Sequence, residues 1–400
     1  MIVGIIGAGA SGMAAAITAA ENPNVQVKLF ERQARVGKKL LATGNGRCNL
    51  SNADLNMRHY HGDDPDFAKP ALEKIGLPEV KFWFQNLGLY TLVDSAGKAY
   101  PLSDQANSVV DVLRLALEKE NITVFTGFEV QKLRRDGEGF LINDSQYCDK
   151  LIVACGGLAG TKLGGSMSGY KLLGKFGHKS TRLRPSLVQL KCSWPGVVAL
   201  KGVRTGCSVD ILRDGEIVAS SAGELQFTDY GLSGPVIFEI SRDVCQGAGE
   251  WTARLDLMPW LSGEDLQKEL ISRRQRNMPM EELLTGVVHN RLGRVLTREA
   301  GITGRKTGEL TDGQIKELIN TVKAFEITLT EPMGMDCAQV TAGGVMTRDF
   351  DPMTMESKLV PGLYACGEVL DIDGDCGGYN LQWAWASGMI AGWHAGKETV

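Results

Sequence analysis

The chain opens on an unbroken apolar run, Ile2-Val3-Gly4-Ile5-Ile6, which predicts a short strand buried on both faces. It passes through Gly7-Ala8-Gly9-Ala10-Ser11-Gly12 into small residues that predict a helix over 13–20. A second strand, Val25 to Phe30, follows and stops at Glu31. Helical spacing recurs over 78–86 and over 104–120, the latter with Val109, Val112, Leu113 and Leu117 on one side. A strand is expected over 122–126, hairpin strands over 128–134 and 139–143, and a further buried strand in Leu151-Ile152-Val153-Ala154-Cys155-Gly156-Gly157. From about Lys191 the pattern changes to short strands parted by glycine turns, over 206–212, 216–220, 224–227 and 251–257. Helical periodicity then holds from Ser262 to about Val322, over 263–273, 281–284, 287–298 and 312–321, before a strand over 325–330. The chain closes on a second strand, glycine-rich turn and helix: Leu363 to Gly367, then Asp373 to Asn380, then Leu381 to Ala395.

The first glycine triplet is framed by a strand, a helix and a second strand that ends in an acid. Each glycine has a separate physical role: Gly7 permits a tight turn, Gly9 admits a pyrophosphate to the backbone, and Gly12 lets the helix lie close on the strand. The helix start, at Ala10 and Ser11, offers free N–H groups and the positive end of its dipole. Glu31, nineteen residues past Gly12, stands where an acid takes hydrogen bonds from ribose hydroxyls. These features predict an α/β fold with a dinucleotide-binding, Rossmann-like domain. Ala154 and Gly156 close another strand end directed at the same ligand.

A second backbone clamp changes the expected ligand. FAD has a ribityl chain and three fused rings that must be held along their length. Gly367-Glu368 at a strand end and Gly377-Gly378 at a helix start supply N–H groups and a helix dipole where negative charge develops on reduction. Between the clamps lies a donor-rich loop: Arg32, Lys38, Lys39 and Leu40, then Thr43-Gly44-Asn45-Gly46-Arg47-Cys48-Asn49. A short helix over 38–41 is open there. Arg47 is the best-placed cation, for a substrate anion, the flavin phosphates or a salt bridge within the loop.

Composition sets limits. The 400 residues, 43% hydrophobic and 22% charged, suit a protein of two or three ordinary globular domains. The net charge of −4 provides no basic field for nucleic acid. Arg273-Arg274-Gln275-Arg276 is expected as a solvated helix face. No apolar run reaches membrane-spanning length, and the chain starts on a core strand instead of a signal peptide. Nine cysteines without a Cys-x-x-Cys pair argue against a zinc site or a disulfide framework and suit a reduced, cytoplasmic setting. No metal is expected.

The residues from Gly7 to Gly12, Thr43 to Asn49, Thr341 to Val345, Thr354 to Lys358 and Gly362 to Gln382, with Phe227-Thr228 and Gly231 to Pro235, resemble the BaiN/RdsA-type bacterial FAD flavoprotein family. The resemblance implies a discontinuous FAD-binding domain of the glutathione-reductase type over 1–190 and 336–400. It also implies an inserted β domain over 191–260 and 323–335 carrying a helical subdomain over 261–322. By the same resemblance, Ser11, Glu31, Arg32, Lys39 and Leu40 line the ADP and ribityl side, and Val130 meets the adenine through its backbone. Gly367, Glu368, Asn380, Leu381 and Gln382 hold the flavin end. Members are oxidoreductases, some using reduced nicotinamide and some oxidising small amines. The expected function is therefore FAD-dependent hydride transfer on a small molecule, with NAD(P)H as a transient reductant, since the chain carries one dinucleotide fingerprint. An amine oxidase and a flavin-binding redox sensor remain open alternatives. No catalytic acid or base is assigned. Substrate is expected to enter past Arg47, Cys48, Gly343 and Tyr379, beneath the insert.

Other motifs add little. Gly165-Ser166-Met167-Ser168-Gly169 spells a nucleophile elbow, but the residues before it form no strand, so a helix start is expected. Cys48 and Cys376 are expected to fill space; a pairing of the two stays open. His59 and His61 are expected at the surface, and the acids Asp371, Asp373 and Asp375 are read as part of the flavin loop.

Overall fold

The computed structural model describes residues 1–397 and divides the chain into two compact units, Met1–Arg184 with the chain from Gln339 onward, and Pro185–Ala338. In the first unit the apolar runs form one parallel sheet. Its strands are β1 (Ile2–Ile6), β2 (Gln26–Glu31), β3 (Ile122–Thr126), β4 (Lys150–Val153) and β5 (Leu363–Ala365), in the order β5-β4-β1-β2-β3. Val3 pairs with Val27, Gly4 with Leu151 and Leu151 with Leu363. β1 is central, which explains why its sequence does not alternate. Successive strands are added on one side of β1 and then on the other. That reversal opens a crevice at the carboxyl ends of β1 and β4, where open α/β sheets bind ligands.

Helix α1 (Ala10–Ala19) leaves β1 through the glycine turn, and helix α2 (Tyr379–Ala395) lies along it. The two meet through a stripe of small residues. A Cβ on Gly388 would stand 2.4 Å from the Ser11 carbonyl oxygen, one on Gly392 would stand 2.3 Å from that of Ala15, and one on Gly396 would stand 3.1 Å from that of Ala19. Glycine every fourth residue on α2 thus faces Ser11, Ala15 and Ala19 on α1, so the backbones touch and the helices run parallel. The register also fixes the stagger. Gly378 caps α2 ten residues before Gly388, whereas Gly9 caps α1 two residues before Ser11. The start of α2 therefore projects about 12 Å beyond that of α1, at 1.5 Å per residue. Two helix N-termini separated by that length suit an extended ligand with a phosphate group in the middle and a polar ring edge at one end. Trp383 and Trp385 of α2 are both buried, the latter edge-on to Phe84 at 5.2 Å.

The second unit is a closed six-stranded antiparallel barrel, built from Arg204–Arg213, Glu216–Phe227, Gly231–Ser233, Trp251–Asp256, Phe325–Pro332 and Leu190–Cys192. Helices Gly263–Arg276, Asn290–Glu299 and Asp312–Lys323 share its hydrophobic core through Leu266, Leu270, Leu292, Leu296, Ile315 and Leu318.

Local differences from the sequence reading have simple causes. The strands expected over 216–220 and 224–227 are one strand, because the ladder to 204–213 continues through Gly223. Helix Pro235–Val244 was not anticipated, although Pro235 stands at its start and Val236, Ile237, Ile240 and Val244 share one buried face. The helix expected over 104–120 covers only Ala106–Ala116. Arg273 is not solvated: it is buried, and its Nη1 donates to the carbonyls of Leu283 and Thr285.

Candidate functional site

The turn between β1 and α1 separates structural glycines from an open one. Gly7 has φ +103° and donates its N–H to the Phe30 carbonyl at 2.8 Å. A Cβ there would meet the Ala154 carbonyl at 2.4 Å, and one on Gly12 would meet the Gly7 carbonyl at 1.8 Å. A Cβ on Gly9 would meet nothing within 4 Å. The same holds at Gly156, φ +68°, just past Ala154 at the end of β4. These two glycines line the open side of the crevice, while Ala154 is tied into the sheet by its N–H to the Ile6 carbonyl at 2.8 Å. Glu31 ends β2 and turns back over the turn: one carboxylate oxygen accepts from the Ala8 N–H at 2.8 Å and the other from the Gln33 N–H at 2.7 Å.

A second group draws residues from both chain ends together. Lys39 Nζ pairs with Glu368 Oε2 at 2.8 Å, and Glu368 Oε1 accepts from the Thr341 N–H at 2.9 Å. Thr341 Oγ1 in turn accepts from the Ala159 N–H at 2.8 Å. Gly157 lies against this network, since a Cβ there would stand 2.4 Å from Glu368 Oε1 and 2.5 Å from Thr341 Oγ1. Gly367 has φ +74° and sits on α1, where a Cβ would stand 2.5 Å from Ser11 Oγ. Its N–H donates to Ser387 Oγ at 2.9 Å and its carbonyl accepts from Trp383 Nε1 at 3.2 Å, which locks the end of β5 to α2.

The third part is the loop from Thr43 to Asn49 facing the start of α2. Gly44, Asn45, Gly46 and Cys48 all have positive φ. Thr43 holds the turn, donating from Oγ1 to the Leu40 carbonyl at 2.6 Å and accepting the Cys48 N–H at 3.0 Å. Gly378, φ +101°, fits because a Cβ would strike the Ser51 carbonyl at 2.5 Å and Asn49 Oδ1 at 2.8 Å. Asn49 Oδ1 is buried without a hydrogen-bond partner among the described residues. The Asn380 amide clasps Gly374, accepting its N–H at 2.8 Å and donating to its carbonyl at 2.6 Å. Gln382 is fully buried between the Ser51 hydroxyl at 2.6 Å and the Ile75 carbonyl at 2.6 Å, and its backbone N–H bonds the Gly378 carbonyl. Its side chain therefore positions the α2 start. The groups left facing outward there are the first-turn N–H groups around Asn380 and Leu381, which helix geometry leaves without intrahelical acceptors.

Other residues of the sequence-based set have surroundings of their own. Arg47 is exposed, ion-paired with Asp104, and its guanidinium lies 4.1 Å from the Tyr100 ring centroid. Arg32 donates to the Gly164 carbonyl at 2.7 Å, and Lys38 to Gln33 Oε1 at 3.1 Å. Val130 and Leu40 are buried in the main core, and Ala10 is the first residue of α1. Cys48 is buried, and burial pushes its thiol up to about 12, which leaves no thiolate for redox relay. None of the nine cysteines forms a disulfide among the described residues. The Gly165–Gly169 motif runs into the start of helix Ser168–Gly174 and follows a 3-10 turn at Thr161–Leu163 instead of a strand, so it is no nucleophile elbow.

The sequence reading missed one cluster. His59 and His61 are half-buried rather than at the surface, and both bond the Asp375 carboxylate: His59 Nδ1 at 2.9 Å and His61 Nε2 at 2.6 Å. His59 also stacks on Tyr379, the first residue of α2, at 4.4 Å. Burial pushes Asp375 up, but the bonds from His61 and His59 outweigh it and hold the carboxyl below its ordinary value. His59 ends the 3-10 turn Met57–His59 and His61 ends the strand Tyr60–His61, so their two-residue spacing is the one local signal that could have paired them. Their common acid lies over three hundred residues away.

Open space above Gly9 and Gly156, an unpartnered buried Asn49 oxygen and two staggered helix N-termini fit FAD. Gly7 to Gly12 and Glu31 would hold its ADP half, and the α2 start would hold its ring edge. The model of the HI0933-like protein Rossmann domain matches residues 1–394. The 3-dehydro-bile acid delta(4,6)-reductase of Clostridium scindens is 40% identical over 400 residues, covering 98% of each chain. The ribosomal RNA dihydrouridine synthase of Escherichia coli is 32% identical, covering 96% of this chain and 95% of that protein. Among solved structures, 3-ketosteroid delta1-dehydrogenase from Sterolibacterium denitrificans aligns over 98% of this chain and 99% of its own, with a TM-score of 0.50 at 12% identity, a likeness of fold. A family match across nearly the whole chain and a reductase relative at 40% identity agree with the clamp geometry: the chain belongs to the HI0933-like Rossmann family and is an FAD-dependent oxidoreductase.

Proposed function

We propose that the protein reduces a carbon–carbon double bond conjugated to a carbonyl group, on a small apolar ring substrate, with a reduced nicotinamide as transient electron donor. The relative at 40% identity carries this reading, because its name describes reduction of the 4,6 double bonds of a 3-oxo steroid acid. Dihydrouridine synthesis, named for the second relative, is the same reaction class on the ring of uridine. Bound FAD supplies the hydride chemistry. The chain's own groups position and polarise. The α1 N-terminus and the Gly9 backbone would hold the phosphates, and the α2 N-terminus would stabilise the negative charge that gathers on the ring edge on reduction. The Lys39–Glu368–Thr341 network ties the loop after β2 to the end of β5.

RNA is the second reading, supported by the relatives named for ribosomal RNA. The net charge of −4 favours the small molecule, because RNA affinity rests largely on neutralising phosphates. The test is incubation of the FAD-loaded protein with NADH or NADPH and a 3-oxo-4-ene steroid, read by mass spectrometry. Gain of two hydrogens by the steroid is the expected result. An unchanged steroid, together with new dihydrouridine in ribosomal RNA from cells that carry the gene, would replace the proposed substrate. Peroxide formed from an added amine, with both of these unchanged, would make the protein an oxidase.

A further inference from the structure

Hydride addition to a conjugated double bond leaves a carbanion equivalent that needs a proton. We infer that the His61–Asp375 pair, backed by His59, supplies it; this rests on the double-bond reductase reading above. The geometry singles out His61. His59 has both ring nitrogens occupied, Nδ1 on Asp375 at 2.9 Å and Nε2 at 3.2 Å from both Asp54 Oδ2 and Arg58 Nε. His61 gives Nε2 to Asp375 at 2.6 Å, and its Nδ1 has no hydrogen-bond partner among the described residues. A carboxylate on one imidazole nitrogen fixes the ring and its tautomer and leaves the other nitrogen to move a proton, the division of labour found in acid–base dyads.

The pair is fastened to the proposed flavin end. The strand Tyr60–His61 pairs with Asp373–Gly374, His61 opposite Asp373. The Asp375 N–H donates to the His59 carbonyl at 3.0 Å. Asn380, in the first turn of α2, clasps Gly374 and reaches the Asp375 carbonyl at 3.3 Å. His59 stacks on Tyr379 beside it. The other charged and titratable groups packed around the pair are Asp373 opposite His61, Cys376 next to Asp375, Asp54 and Arg58 beside His59, Tyr60 and Tyr379 behind it, and Asp371 with Asp63 on the neighbouring turn. No three of these side chains, nor any other His, Cys, Asp or Glu among the described residues, form a group that would hold a metal ion.

The step balances as follows. Bound FAD, once reduced, would supply a hydride to the carbon β to the carbonyl, and the π pair would move onto the carbonyl oxygen. The carbonyl then re-forms as the α carbon takes a proton from Nδ1 of His61 in its imidazolium form, which leaves the neutral ring with its Nε2–H on Asp375. The histidine regains a proton from solvent while Asp375 keeps hold of Nε2. Reducing equivalents come from the nicotinamide, and the net change is two hydrogens added across the double bond.

The test uses the FAD-loaded full chain and the variants His61→Gln, Asp375→Asn and His59→Gln. The first readout is the flavin midpoint potential against pH, which needs no substrate. The wild type should show a change of slope that His61→Gln abolishes, because a titrating group beside the flavin couples to its reduction. The second is rapid mixing of the reduced protein with a 3-oxo-4-ene steroid. Re-oxidation should slow by about 100-fold or more in His61→Gln, within the range of general acid catalysis. Asp375→Asn should slow it less, and His59→Gln least. A potential–pH curve in His61→Gln identical to wild type would overturn the inference. So would equal re-oxidation rates in a wild type that reduces the steroid. A wild type that reduces neither the steroid nor uridine fails the reductase reading instead, and the potential measurement still decides whether His61 is coupled to the flavin.

Discussion

The two helix N-termini of the first unit use glycine in different ways. At α1 the partners are local. Gly12 packs on the carbonyl of Gly7, five residues earlier, and Gly9 alone is open. At α2 the partners are remote. Gly378 packs against Ser51 and Asn49, and Gly388 against Ser11, each over three hundred residues away along the chain. A clamp whose contacts close within one turn must be spelled in consecutive residues, so it reads as a motif. A clamp whose contacts close across the whole chain leaves only scattered glycines.

The comparison can be broken most sharply at the packed glycines. Gly12→Ala and Gly388→Ala each place a methyl against a backbone carbonyl that cannot rotate away. Each should cost about 3 kcal/mol of stability in chemical denaturation and abolish FAD retention. If either folds and binds normally, the close contact between α1 and α2 does not set the site. Gly9→Ala probes the open position. The apoprotein should unfold at the wild-type midpoint, while titration shows FAD affinity weakened by about 10- to 100-fold, or about 1.4–2.8 kcal/mol. Equal loss of stability and affinity would show Gly9 to be structural.

Asp371, just before the α2 turn, gives a pH test of the remote clamp. Burial pushes its carboxyl up to about 6, although the Asp63 N–H bonded to it favours the charged form. Its folded value thus stands above the unfolded one of about 3.9, so the folded state binds this proton more tightly. The stabilisation is fully present below about pH 4 and is lost as pH rises through 6. Urea midpoints across that range should fall less steeply in Asp371→Asn than in the wild type. The smallest effect belongs to Arg47→Ala. Its ion pair with Asp104 is exposed, so FAD content and stability should stay at wild-type levels, as measured by absorbance and thermal melting. A clear loss of FAD would return Arg47 to the cofactor site.

These differences also explain what the sequence could show. The β1–α1–β2 unit was legible because the strand, glycine turn, helix and acid are contiguous and each has one physical reading. The presence of a second clamp was legible from Gly367-Glu368 and Gly377-Gly378, but its geometry was not. Gln382 is expected at the flavin end, and the sequence could not show that its side chain bonds Ser51 and Ile75. The small-residue stripe of α2 was visible as glycines at 388, 392 and 396, but its partner helix was not. The His59–Asp375–His61 cluster escaped for the same reason: a two-residue spacing marks the histidines, and nothing local marks the acid.

The most direct test of the central claim is an anaerobic absorbance spectrum of the purified protein, taken before and after addition of NADH and then NADPH. Bands near about 370 and 450 nm, bleached by one of the nicotinamides, are the expected result for a flavin reductase. No flavin band, even after FAD is added back, would contradict the account.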